Sequence, residues 1–256
     1  MVGWWRDFFG EANAVLGHLP GGRAKADRQS VNCNSFPTES RQHVTLNFAA
    51  PMMKCISLFF LLSIYLVSCG QKKTVDTTAS VAALSNKVIP LVNHLDNQDS
   101  CLMALRYLDS ATEINKDCFS CYQNKLMFLY ALQQFDKAIV AINECIRLQP
   151  QAHDLYLTAG VLYEKTGDSS KAAQYFQQSL LLLKPVLDSM NTDHPDYELL
   201  MTNQALNQLL LGDSTAGNQL LQAVADRQQA PEQKASVLSF ANRSKKELVD
   251  KLTKMR

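Results

Sequence analysis

Seven cysteines and five histidines are the side chains of this 256-residue chain best suited to chemistry, and their spacing decides what chemistry is open to them. Cys118-Phe119-Ser120-Cys121 has the two-residue gap used for thiol–disulfide exchange or for half of a zinc site. A redox pair of this kind opens a helix after a strand, and no strand pattern precedes it; a structural zinc site needs a second ligand pair, and the sequence has none. Two readings stay open for an exported chain: a structural disulfide between consecutive helical units, or two packing thiols. Asp193-His194-Pro195-Asp196 offers metal-ligand types, but the same tetrapeptide is ordinary turn chemistry. His94, His153 and His194 fall in different units of the chain. No HExxH, GxGxxG or GxxxxGK[ST] occurs, so neither catalytic residues nor a metal or cofactor are expected.

Cys69 is different, because of what precedes it. Met52-Met53-Lys54 leads into an apolar run, Cys55 to Ser68, too short for the roughly 20 helical residues that cross a hydrocarbon core. A basic start, a short apolar stretch and small residues at its end form the layout of an export signal. The stretch closes Leu66-Val67-Ser68-Cys69-Gly70, which resembles a bacterial lipobox. That resemblance implies cleavage before Cys69 and lipid on its thiol, hence attachment to the bacterial cell envelope. Gly70 in place of an aspartate is compatible with the outer membrane, facing the periplasm. On this reading the chain starts at Met52 or Met53, residues 1–51 are no part of the mature protein, residues 52–68 are the signal peptide and residues 69–84 are a flexible polar tether.

The elements that would position anything else repeat with a period of about 34 residues. In 153–186, Gly160 and Ala172 are small where two helices of a hairpin must approach, and Tyr156, Tyr163 and Phe176 fill the space around that contact. Gly167 can end the first helix and Asp168 can cap the second. Residues 119–152 repeat the arrangement with Tyr122, Ala138, Ile142, Cys145 and Pro150, but Leu126 replaces the small residue and Gln133 the turn glycine. Residues 85–118 keep Ala104, Leu108 and Ala111, with Pro90 interrupting the first helix; residues 198–231 keep Ala205, Gly212-Asp213, Leu221 and Val224. Eleven residues, 187–197, separate the last two units, and the long second helix before them should end near Asn191. Residues 232–256 read as one amphipathic capping helix. The pattern resembles the tetratricopeptide repeat, which implies an all-α solenoid of four helical hairpins.

Such solenoids bind partners on a concave face lined by the first helix of each hairpin. The resemblance places Asn93, Gln123, Met127, Tyr130, Leu157, Val161, Glu164 and Leu206 there, with Lys165 as the one cation at a carboxylate-binding position. Some of these side chains would instead pack between hairpins. From Cys69 onward the chain has 19 Lys and Arg against 20 Asp and Glu, which gives no footprint for nucleic acid. The expected function is an envelope-anchored interaction module for a protein or peptide, with membrane attachment through lipid on Cys69. The alternative is a non-catalytic accessory subunit whose repeats bind identical copies.

Overall fold

Apolar residues three and four apart organise every element of the computed structural model, which describes residues 77–254. The described residues form ten α-helices and a 3-10 helix, with no strand among them. They run α1 Thr77–Val88, the 3-10 helix Ile89–His94, α2 Gln98–Ile114, α3 Phe119–Ala131, α4 Phe135–Leu148, α5 His153–Lys165, α6 Ser169–Ser189, α7 Tyr197–Leu211, α8 Ser214–Arg227, α9 Pro231–Leu238 and α10 Lys245–Thr253. From α1 to α9 each helix packs on the next, as a stack of hairpins requires. The result is a helical-hairpin solenoid.

The first hairpin begins earlier than the sequence reading has it. Residues 77–84, expected in the tether, are the start of α1, because Val81, Leu84 and Val88 lie on one helical face and pack against Cys101, Ala104 and Leu108 of α2. Pro90 removes a backbone donor and converts the chain to the 3-10 turn. The Asn97 side chain then caps α2, accepting from the Ser100 N–H at 3.0 Å. Cys118 and Cys121 are joined as a disulfide at the start of α3, their Cα atoms 5.3 Å apart.

In the third hairpin, Gly160 of α5 lies so close to the Phe176 ring of α6 that a Cβ on it would collide with the ring. Phe176 is fully buried by that approach. Gly167, with φ 93°, turns the chain between these helices, and Gln133 takes φ 55° at the equivalent turn of the second hairpin. The left-handed turn is thus kept where the glycine is not, at a local steric cost that a glutamine bears and a glycine does not. Helix α6 runs to Ser189, two residues short of the expected end.

The expected single C-terminal helix is two. Asn242, at φ 56°, breaks it, and its N–H donates to the Asn218 side chain at 2.9 Å. Ser244 and Glu247 then form a reciprocal capping box that starts α10 afresh. Helix α9 stays on α8, in the position of a terminal cap, whereas α10 leaves the end of the stack and packs on α5 and α7.

Candidate partner-binding groove

The first helices of hairpins two, three and four are α3, α5 and α7, and they carry seven of the eight predicted groove residues. Helical geometry puts Gln123 and Met127 one turn apart on α3, and both are half-buried. Met127 rests in part on the buried cluster of the first hairpin, and Gln123 keeps part of its surface open.

Four others are buried. Leu157, Val161 and Leu206 belong to one buried cluster with Leu248, Val249 and Leu252 of α10, so the chain's own C-terminal helix covers them. Tyr130 is 2% exposed and packs with Leu126, Ile142 and Leu155, its ring edge-on to Phe135 at 6.0 Å. Burial pushes its phenol well above the usual tyrosine range. Tyr130 is core between hairpins rather than an anchor for a partner. Asn93 is exposed but lies in the 3-10 turn, past the end of α1, because Pro90 has already ended the regular helix. It does not continue the row of α3, α5 and α7.

Glu164 is engaged as well. Its two carboxylate oxygens accept from Ser169 Oγ at 2.9 Å and from Lys245 Nζ at 3.4 Å. Beside it Lys165 donates to Asp250 of α10 at 2.7 Å, and Lys246 holds the other oxygen of the same carboxylate at 2.6 Å. The two ammonium groups depress the Asp250 pKa to about 2, mainly through these hydrogen bonds. Lys165, placed by sequence at a carboxylate-binding position, therefore holds a carboxylate of its own chain.

A second concavity of about 350 Å3 lies between α2, α3 and α4. Lys125 crosses it, donating to Asp109 at 2.8 Å and Thr112 at 2.9 Å, with its ammonium 5.2 Å from the centre of the Tyr122 ring. No short motif marks this cluster, since its members come from two helices of different hairpins. The groove residues missed on α10 did have a signal: Ser244-Lys-Lys-Glu247 is a capping box written in the sequence.

The remaining chemical candidates are accounted for locally. His194 Nδ1 accepts from the Asp196 N–H at 3.2 Å within its own turn. Among the described residues no group of three or more His, Cys, Asp or Glu side chains could hold a metal ion. Cys145 is buried in the second hairpin and its thiol is pushed up to about 12, chiefly by desolvation. No described helix is long and apolar enough to cross a membrane. Cys69 and the segments 1–51 and 52–68 lie outside the described residues.

Residues 119–151 and 153–182 match the tetratricopeptide repeat family. The two central hairpins carry tetratricopeptide repeats. No curated protein matches the chain in sequence. Among solved structures it is similar to an O-GlcNAc transferase mutant of Thermobaculum terrenum, at 15% identity and a TM-score of 0.42, over 60% of this chain and 27% of that one. Repeats of this type typically serve as non-catalytic scaffolds for protein–protein contact.

Proposed function

We propose that this protein is a lipid-anchored interaction module of the bacterial envelope, whose tetratricopeptide array holds a protein or peptide partner on its concave face. The observation that carries this reading is the row formed by α3, α5 and α7, in which Gln123 and Met127 keep part of their surface open on α3. Anchoring rests on Leu66-Val67-Ser68-Cys69, whose cysteine would be acylated after export to the outer membrane. In this role the protein is an assembly part and not an enzyme. Its partner reads a surface of amide and thioether groups, where an apolar side chain can bury against Met127 and a backbone amide can bond to Gln123.

The experiment is capture in native membranes with a photo-crosslinking residue at position 123. A foreign protein should be captured, Met127→Glu should remove it at a temperature where circular dichroism shows the variant still folded, and Cys69→Ala should remove metabolic fatty-acid label. Crosslinks solely to a second copy of the chain would transfer the reading to self-assembly, and undiminished label on Cys69→Ala would end the lipid anchor.

A further inference from the structure

We propose that α10 is a displaceable occupant of the groove over α5 and α7, and that the groove's binding partner is an amphipathic helix of the same chemistry; this rests on the interaction-module reading above. Three observations converge on it. The first is position. A helix that only capped the solenoid would stay on α8, as α9 does, yet α10 lies across the first helices of hairpins three and four. Those are the positions where the repeat architecture presents its binding face.

The second is the form of the contact. Leu248, Val249 and Leu252 enter the groove at i, i+1 and i+4, against Leu157, Val161 and Leu206. Charges flank this apolar row in complementary order: Lys245 on Glu164 at one turn and Asp250 on Lys165 at the next. An apolar stripe with matched charges on its border is how a helix is read by a groove. The recognised element is therefore a short helix with an acid one residue after its central apolar pair and a base three residues before that pair.

The third is the linkage. Helix α10 is 9 residues long and starts with its own capping box, so the Ser244 and Glu247 N–H groups are satisfied without the rest of the stack. Before it stands Asn242 in a left-handed conformation, a hinge point that asparagine tolerates. Before that come α9, none of whose own residues is fully buried, and Phe240, which is buried in the same cluster and fixes the chain on the N-terminal side of the hinge. Both ion pairs that hold α10 are part-exposed, the kind that contributes little when water can replace it. Helix α10 can leave the groove without unmaking the hairpins, and a partner helix can take its place.

The probe is a fluorescein-labelled synthetic peptide of residues 243–254, added to the full chain. Wild type should bind it weakly, because the tethered α10 competes at high effective concentration. Leu248→Asp in the full chain should bind it at least tenfold more tightly. Lys165→Cys with Asp250→Cys, bridged by a flexible bis-maleimide long enough to replace the lysine–aspartate pair, should lose peptide binding at least tenfold relative to Lys165→Ser with Asp250→Ser under the same conditions. Hydrogen exchange on wild type gives a readout independent of any variant: α10 amides should exchange at least tenfold faster than those of α5. Equal exchange in α10 and α5, or equal peptide binding by the cross-linked and serine variants, overturns the proposal. Native-partner capture that survives the cross-link would leave the interaction module standing and remove this groove as its site. Loss of capture in Met127→Glu together with an unaffected cross-link result would point to α3 alone.

Discussion

The concave face of this protein has two halves built from equivalent helix positions, and they are in opposite states. On α3, Gln123 and Met127 are half-buried and keep part of their surface open, Met127 resting on the first hairpin's core. On α5 and α7, Leu157, Val161 and Leu206 lie beneath α10 and behave as core. The repeat pattern fixes which side of a helix faces the groove. Whether that side is a surface is decided by an element far along the chain, such as Asp250 opposite Lys165 at a separation of 85. A groove position is a place in the architecture, and its energetic meaning comes from whatever fills the space opposite.

The strongest way to break this comparison is Tyr130→Ala. The repeat pattern places this residue in the groove on the open half, whereas the structure buries it between the second and third hairpins. Truncation should cost about 3–5 kcal/mol in denaturant-induced unfolding, the range for a buried aromatic. Partner capture should then fail only where the protein also unfolds. A variant of unchanged stability that no longer captures its partner would return Tyr130 to the surface and erase the contrast.

Gly160→Ala comes next and probes the floor beneath the covered half. The added methyl group meets the Phe176 ring, which is held on all sides in the cluster that also contains Leu157 and Leu252. We expect a loss of about 1–3 kcal/mol and an earlier thermal transition. A melt unchanged from wild type would mean that α5 and α6 can slide apart at no cost, and the register of the third hairpin would need revision.

The smallest effect expected is a pH dependence that separates the two parts of the covered half. Burial lowers the His153 pKa below its ordinary 6.5, an effect that nearby Asp154 only partly offsets. The folded protein then resists a proton that the unfolded chain accepts. Stability from this site is complete above about pH 6.5 and declines as the pH falls below it. Asp250 has the later window: its folded value of about 2 lies below the ordinary 3.8, so its contribution is full above about pH 3.8 and disappears as the pH falls through 2. Melting temperatures should therefore fall modestly from pH 7 to pH 5, and His153→Gln should flatten that step. A step that persists in the variant would assign it elsewhere.

The central repeats were legible because their physics is local. Gly160, Ala172 and Phe176 must meet within one hairpin, so their spacing alone writes the contact. The start of the solenoid was harder, since Thr77-Thr78-Ala79-Ser80 looks like polar tether; Val81, Leu84 and Val88 held the helical signal that a shorter window misses. The C-terminal break was also written, in Asn242 and the Ser244–Glu247 box, but the apolar spacing on either side of it mimics one continuous helix. What no local pattern holds is the placement of α10. Nothing between residues 232 and 256 states that α10 should pack on α5 and α7 rather than stay on α8, and that choice turned predicted groove residues into core. The Cys118–Cys121 bond was open for the same reason, as two thiols at helical spacing pack or pair according to their compartment.

The long sequence separations of the α10 contacts have a consequence for the order of assembly. Each hairpin closes over a few tens of residues, whereas the Lys165–Asp250 and Glu164–Lys245 contacts join residues 85 and 81 apart. Loop-closure entropy grows with that separation, and contacts between distant segments form after local ones. As the chain folds, the hairpins over residues 119–227 close before α10 has packed back onto them. For that interval the groove is vacant, and a partner helix already present would meet a receptor whose competitor is not yet in place.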